Sequence, residues 1–181
     1  MWGVERGLGD GIMGVLRVGL LMGMLRLART YSEHIWSWKM ADVKVEPYLN
    51  FCGRCEEALA FYREAAGAEV EMVMRYNEAP ELPPEGALVD GFEKKVMHAT
   101  FRIGGSTLMA TDGSGREEEG FNGFTLAIGV RSEAEARRLF DALSEGGEVE
   151  MPLGETFWSP CFGMLKDKFG VGWMVNLDTV K

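Results

Sequence analysis

The order of predicted strands and helices is the feature that most limits how this chain can fold, because the same order occurs twice. Residues 44–112 read as a strand, a helix and three further strands, and residues 123–178 repeat that sequence of elements. The repetition indicates a structural duplication. We therefore predict an α+β protein made of two related βαβββ modules, 44–112 and 123–178.

Local signals define the elements of the first module. Apolar and polar residues alternate from about residue 44, which predicts a strand over 44–51. Apolar residues then recur at helical spacing over 55–66, and Gly67 is suited to end that helix. Further strands are predicted at 68–76, 95–103 and 106–112, with Gly104-Gly105 as the tight turn between the last two.

The second module has equivalent signals. A strand at 124–130 precedes a helix at 132–143, in which Ser132 can cap the N-terminus and Glu135 completes a capping box. Three strands then follow, at 148–153, 162–167 and 172–177. The two modules together account for residues 44–178.

Charge and cysteine content limit the partners and the compartment. The formal net charge is -9, which would repel nucleic acid and anionic membrane surfaces at long range. There are three cysteines, an odd number that does not resemble a secreted disulfide scaffold. We expect a cytoplasmic protein whose partner is a small molecule, with no nucleic acid and no membrane.

Residues 1–39 differ from the rest, since they hold five basic and three acidic residues. Their apolar run, 12–25, contains Arg17 and several glycines and is shorter than the ~20 apolar residues of a membrane span. An amphipathic arm or targeting peptide is one interpretation. The other, which we favour, is an extension outside the fold, with the domain proper at 40–181 and a natural start at Met40.

Motifs along 44–178 resemble the PhnB-like family of the vicinal-oxygen-chelate superfamily, which includes glyoxalase I, fosfomycin-resistance proteins and extradiol dioxygenases. The motifs that carry the resemblance are Pro47-Tyr48-Leu49-Asn50-Phe51, Met74-Arg75-Tyr76, Lys95-Val96-Met97-His98-Ala99, Met151-Pro152-Leu153, Glu155-Thr156-Phe157-Trp158 and Asp167-Lys168-Phe169-Gly170-Val171. The resemblance implies paired modules that form an incomplete barrel around a cavity, assembled as a homodimer. Some relatives carry a methyltransferase label, but this sequence has no Gly-rich strand-to-helix turn suited to S-adenosylmethionine, so we do not expect that activity.

The metal ligands of the superfamily correspond, by apolar register, to Glu46, Met109, Thr125 and Met174. Only Glu46 is a suitable ligand for zinc, nickel, iron or manganese, because thioethers and a lone hydroxyl do not replace imidazole and carboxylate. We therefore predict a cavity with no metal and no other cofactor.

Strand alternation extends the list of residues expected to line the cavity, because side chains two positions apart share a face. The polar members expected there are Glu46, Tyr48, Asn50, Arg75, His98, Thr100, Thr111, Thr125 and Asn176. With the apolar Met109 and Met174, they would suit a small ligand that has an anionic or carbonyl group.

Four candidates have competing interpretations. His98 is either an acid–base catalyst or a hydrogen-bonded structural residue, and Arg75 either clamps a ligand or pairs with Glu71 on its own strand. Trp158, with Glu155 and Phe157, either closes the cavity or packs in a dimer. Cys52 and Cys55 have C-x-x-C spacing at a helix N-terminus, which favours a thiolate, although spacing alone is weak evidence for redox chemistry.

The sequence is compatible with three functions. The first is binding of a small polar metabolite in a metal-free cavity, with an acid–base step of lyase or isomerase type in which His98 or Glu46 is the base and Tyr48, Asn50, Arg75, Thr100, Met109, Thr125, Trp158, Met174 and Asn176 contact the ligand. The second is a ligand-binding or resistance module without catalysis. The third is a metal-dependent glyoxalase or dioxygenase, which requires ligands absent from the expected positions.

Overall fold

A computed structural model of the chain describes residues 43–81, 83–116 and 120–178. The chain divides into two units, of which the second is Glu46–Lys181. The N-terminal extension predicted at 1–39 lies outside the described residues. All elements below belong to the second unit.

Both predicted modules are present, and each has the order βαβββ. The first contains β1 (Tyr48–Asn50), α1 (Cys55–Ala66), β2 (Glu69–Arg75), β3 (Val96–Ile103) and β4 (Ser106–Thr111). The second contains β5 (Leu126–Val130), α2 (Glu133–Leu143), β6 (Glu148–Gly154), β7 (Phe162–Lys166) and β8 (Gly172–Leu177). Short 3-10 helices, Tyr76–Glu78 and Phe92–Lys94, flank the loop between β2 and β3.

The first strand is shorter than its alternation predicts. The expected strand spans 44–51, whereas β1 covers Tyr48–Asn50 and the side chain of Val45 is 95% exposed. Alternation reports which side a residue would face, but a strand also needs a hydrogen-bonded neighbour. The only strand that pairs with β1 in the described sheet is β4, over three residues.

Both helix predictions are confirmed. Helix α1 ends at Gly67, which has φ 66° and donates its N–H to the Tyr62 carbonyl, a left-handed conformation that glycine adopts at low cost. Helix α2 begins after Ser132, whose Oγ accepts a hydrogen bond from the Glu135 N–H at 3.2 Å. No helix in the described part of the chain is long and apolar enough to cross a membrane.

Each module forms a four-stranded sheet, and the two sheets have the same topology. The strand orders are β1-β4-β3-β2 and β5-β8-β7-β6. In each sheet the first strand pairs in parallel with the last, so Tyr48 lies opposite Met109 and Ala127 lies opposite Met174. The strand-by-strand equivalence confirms the α+β class and the predicted duplication.

The helices and the core lie between the two sheets. Tyr62 of α1 stacks on Phe101 of β3 with ring centroids 6.0 Å apart, while α2 packs on β7 and β8. The helices also contact each other, and Arg138 of α2 donates to the Ala65 carbonyl of α1 at 3.3 Å. The opposite side of each sheet therefore points away from the core. We call these sides the first outer face and the second outer face.

Candidate functional site

The first outer face has three polar side chains next to three methionines. Strand register sets Met74 opposite His98, and Met72 opposite Thr100, across β2 and β3. Thr100 in turn lies opposite Met109, which lies opposite Tyr48. Residues opposite each other in a sheet share a side. These six side chains therefore form one continuous surface: Tyr48, Met72, Met74, His98, Thr100 and Met109.

His98 is held between two hydroxyl groups. Its Nδ1 lies 3.3 Å from the Tyr48 hydroxyl and its Nε2 lies 3.3 Å from Thr100 Oγ1. The Tyr48 and His98 rings are also stacked, with centroids 5.6 Å apart. A hydroxyl can donate or accept, so either ring nitrogen can carry the proton without losing a partner. His98 and Thr100 are half-buried, and Tyr48 is 52% exposed, so the group is open to a ligand.

Asn50 and Thr111 lie next to this group but serve local backbone structure. Asn50 Oδ1 accepts the N–H of Cys52 at 3.0 Å. Thr111 Oγ1 donates to the Met97 carbonyl at 2.9 Å and accepts the Gly113 N–H at 3.0 Å. Asn50 keeps its amide NH₂ as a donor for a ligand, whereas Thr111 is almost fully buried.

Glu46 is half-buried and lies just before β1, where the neighbouring Pro47 carbonyl accepts the Met109 N–H at 2.9 Å. Among the described residues, the Glu46 carboxylate has neither a hydrogen bond nor an ion pair. It is thus available as a polar group beside β4, but it is not joined to His98.

Arg75 lies away from His98. Its guanidinium pairs with Glu56 of α1 and, at 3.3 Å, with Glu78, rather than with Glu71 as considered from the sequence. These carboxylates raise the pKa of Arg75, the hydrogen bond to Glu56 being the main cause. Simple alternation predicts Arg75 on the cavity side of its strand, which would put Met72 and Met74 on the other side.

Irregular pairing explains that difference. The β2–β3 register shifts between Val70 and Met72 and again between Met74 and Arg75. Simple alternation fails across such bulges, because an extra residue changes which side the following side chains face. The register therefore sets Met72 and Met74, which sequence reasoning missed, beside Thr100 and His98.

The second module contributes a separate surface. On the second outer face, Met174 lies opposite Ala127 and Met164, and Asn176 lies opposite Phe162. Asn176 Nδ2 donates to Asp178 at 2.8 Å. Thr125 directly precedes β5 and is half-buried. Because the helices separate the sheets, one chain does not bring these residues together with His98.

An aromatic group lies at the edge of the second outer face. The Phe157 and Trp158 rings are 4.4 Å apart, and Trp158 contacts the Phe162 ring at 5.5 Å. Phe157 is 96% exposed and Trp158 is 52% exposed. Trp158 therefore lies beside the second outer face, on the sheet that does not contain His98.

The residues at the expected metal positions are also divided between the two modules. Glu46 and Met109 belong to the first module, and Thr125 and Met174 to the second. Glu46 is the only one with a ligand atom suited to zinc, nickel, iron or manganese, so this donor set does not fit the metals of the superfamily. The described residues contain no group of three or more His, Cys, Asp or Glu side chains that could hold a metal ion.

Two buried carboxylates are structural. Asp112 accepts the N–H of Cys55, at the start of α1, at 2.6 Å and the Val96 N–H at 2.8 Å. Asp167 accepts from the Tyr62 hydroxyl at 2.7 Å and from the Trp173 indole N–H at 2.8 Å. Neither belongs to an outer face. Sequence reasoning missed both networks, since their members are far apart in the chain.

Cys55 does not have the environment of a reactive thiol. Burial raises its pKa, and the Asp112 and Glu56 carboxylates raise it further. The helix N-terminus was expected to favour the thiolate, but desolvation in the core opposes it. The structure also records all three described cysteines as unbridged. These observations weigh against a redox pair at Cys52 and Cys55.

Comparisons with known proteins agree with the fold. A family model described as 3-demethylubiquinone-9 3-methyltransferase matches residues 43–176. Protein YjdN of Escherichia coli is 36% identical over 138 residues, covering 74% of this chain and 94% of that protein. The structure of PA1353 from Pseudomonas aeruginosa is 41% identical with a TM-score of 0.66, covering 76% of this chain and 98% of that one.

A second solved structure identifies the family. The PhnB protein from Bacillus cereus is 31% identical with a TM-score of 0.63, covering 75% of this chain and all of that one. The fold is thus the α+β incomplete barrel also seen in a glyoxylase/bleomycin resistance protein/dioxygenase domain from Frankia, which is 13% identical with a TM-score of 0.54. The chain belongs to the PhnB-like family, whose matching model bears the methyltransferase description.

Proposed function

We propose that this protein binds a small polar metabolite on the first outer face, where His98 is the central hydrogen-bonding group and the candidate acid–base. The observation that carries the proposal is the placement of both His98 nitrogens within 3.3 Å of a hydroxyl, on a half-exposed surface. A carbonyl or hydroxyl of the ligand would replace or join one of these hydroxyl partners. Such exchange suits proton transfer, because an imidazole can donate a proton at one ring nitrogen and accept one at the other.

A second copy of the chain would close this site. Each outer face is open on the side away from its helix, whereas ligand sites usually bury most of their ligand. A two-fold dimer that sets the first outer face of one chain against the second outer face of its partner would form two equivalent cavities. Met174, Thr125, Asn176 and Trp158 of the partner would then meet the His98 group. The predicted site residues of both modules converge only in such an arrangement.

The proposal involves neither a metal ion nor methyl transfer. The residues at the superfamily's metal positions lack suitable donors, as described above. The two strand-to-helix connections of the described fold are 51–54 and 131–132, and the only glycine they contain is Gly53. A cofactor such as S-adenosylmethionine needs a loop in which backbone approaches closely, usually through several glycines.

Histidine NMR tests ligand binding directly, because the chain has two histidines, His34 and His98. Full-length protein labelled with ¹³C and ¹⁵N at histidine would be titrated with small carbonyl and hydroxyl compounds, beginning with hydroxyacetone. We expect the His98 ring signals to move while those of His34 stay in place. His98→Gln should weaken binding by about tenfold, the loss of one good hydrogen bond. If no compound in the set moves the His98 signals, the proposal is wrong.

The same samples separate a catalyst from a binding module. Conversion of a bound compound, followed by proton NMR, would indicate an enzyme, and His98→Ala should then abolish turnover. Unchanged turnover in that variant would remove His98 from the mechanism. Saturable binding without any product would support the second candidate function, a module that sequesters its ligand.

A further inference from the structure

The methionines of the two outer faces do not serve the core. Met72, Met74 and Met109 belong neither to the buried core cluster nor to the hydrophobic residues packed against it. Met72 is 38% exposed, and the other two are half-buried. Three flexible apolar side chains thus stand on a sheet surface without contributing to the packing that holds the fold together.

The second outer face also carries methionines, at equivalent positions in the strand register. Met151 lies opposite Met164, and Met164 lies opposite Met174. Strands β6, β7 and β8 are the topological equivalents of β2, β3 and β4. Met151 and Met174 therefore correspond to Met72 and Met109, and these methionines too are outside the core. The dimer proposed above would enclose the His98 group between two methionine surfaces.

Methionine surfaces favour a particular kind of ligand. The thioether is polarizable and makes favourable contacts with aromatic rings at about 5 Å, and the unbranched side chain adapts to a flat shape. A small aliphatic metabolite gains less from such contacts than an aromatic one. The surface that surrounds His98 is therefore suited to an unsaturated ring more than to an aliphatic polar molecule.

Charge around the first outer face argues against an anionic ligand. The arginines of β2 and β3 are both ion-paired, Arg75 with Glu56 and Glu78, and Arg102 with Glu71 at 3.8 Å. An anion would have to break one of these pairs or lie among carboxylates. The polar groups that remain, on His98, Tyr48 and Thr100, recognise hydroxyl and carbonyl groups instead.

We propose that the ligand of this site is a neutral aromatic compound bearing a hydroxyl or carbonyl, with its ring against Met72, Met74 and Met109 and its polar group at His98. This inference rests on the proposed function for the location of the site. It goes further in assigning the chemical class of the ligand.

Three matched probes test the class. They are 2-naphthol, its saturated counterpart decahydro-2-naphthol, and the anion 2-naphthoate, each titrated by calorimetry into the full-length protein. We expect 2-naphthol to bind at least about tenfold more tightly than either of the others. Equal or tighter binding of the saturated alcohol or of the carboxylate would overturn the inference.

Methyl NMR locates the ring. With ¹³C-methyl methionine in the full-length chain, the ring current of 2-naphthol should shift the Met72, Met74 and Met109 methyl signals, assigned from single Met→Leu variants. Met109→Leu should weaken 2-naphthol about three- to tenfold, since leucine keeps the volume but loses the sulfur. Met97→Leu is the matched control, because Met97 is next to His98 on β3 but has no partner in the β2–β3 register and is not among the six residues of the first outer face. Equal effects of the two substitutions would contradict the assignment.

The outcomes distinguish this inference from the proposed function. If hydroxyacetone moves the His98 signals but 2-naphthol moves no methionine methyl, the ligand class is wrong and the site stands. If neither probe affects His98 or the three methionines, both proposals fail. If the methyl signals respond to dilution of the protein but not to 2-naphthol, the methionines form only a contact between copies, and the ligand class is again wrong.

Discussion

Removal of the Tyr62 hydroxyl should destabilise the protein by about 1.5–3 kcal/mol, the usual contribution of a hydrogen bond to a charged group. Tyr62 is fully buried in α1, and its hydroxyl donates at 2.7 Å to Asp167, which is 3% exposed in the second module. Tyr62→Phe keeps the ring and its stacking on Phe101. Asp167 keeps three donors, the Phe169 and Val171 N–H groups and the Trp173 indole, so the fold should survive.

Urea unfolding followed by circular dichroism measures this loss. With slopes of ~1–3 kcal/mol per molar urea, the midpoint should fall by about 1 M. Tyr76→Phe is the matched control, because the Tyr76 hydroxyl donates at 2.8 Å to the Gly113 carbonyl, a neutral acceptor in a half-buried position. The control should cost less, about 0.5–1.5 kcal/mol. If Tyr62→Phe costs no more than Tyr76→Phe, the Asp167 network does not join the modules as described.

The Tyr62–Asp167 pair should also make the stability of the protein depend on pH. Burial, followed by the charge of Asp167, raises the pKa of Tyr62 in the folded protein. In the unfolded chain tyrosine ionises at about 10. Since the folded state holds its proton to higher pH, stability should fall as pH rises above about 10. Tyr62→Phe should make that alkaline decline less steep, and an unchanged slope would argue against the effect.

Three further results are expected. Iodoacetamide at pH 8 should label half-exposed Cys52 before Cys55, whose thiol is buried and has a raised pKa; peptide mass spectrometry that shows Cys55 first would contradict this. Gly163→Ala should lower the urea midpoint, because the added Cβ would lie 2.6 Å from the Phe140 ring and overpacking costs about 1–3 kcal/mol; an unchanged midpoint would refute the close packing of α2 on β7. Ser132→Ala should cost about 1 kcal/mol in the same assay, and no loss would mean that the cap is not stabilising.

Most of the fold was predictable from local patterns. Helical spacing of apolar residues and the stop at Gly67 predicted the bounds of α1 correctly, and Gly104-Gly105 marked the β3–β4 turn. These features depend on residues close together in the chain. The length of β1 was not predictable in this way, because the extent of a strand depends on a partner, β4, about sixty residues later.

The candidate site was predictable only where strands are regular. On β3 the alternation placed His98 and Thr100 on one side, in agreement with the structure. On β2 the bulges displaced Arg75 and brought Met74 beside His98 instead. The carboxylates that pair with Arg75 come from α1 and from the turn after β2, so no pattern within the strand could indicate them.

The packing of the two modules against each other was the property least predictable from the sequence. Alternation assigns a residue to one side of its own sheet, but it does not say which sheets face each other. The contacts of α1 with α2, and of Tyr62 with Asp167, set the helices between the sheets. Met174 and Asn176 therefore lie on a different surface from His98. Their expected meeting now depends on a second copy of the chain.

In the proposed function, a ligand at His98 contacts protein side chains alone, without a metal ion between them. Metal content, measured by inductively coupled plasma mass spectrometry on full-length protein purified without chelator or added metal, tests it most directly. We expect far less than one equivalent of nickel, zinc, iron or manganese per chain. A near-stoichiometric amount of any of these metals, lost in a Glu46→Gln or His98→Gln variant, would contradict the claim and indicate glyoxalase- or dioxygenase-type chemistry.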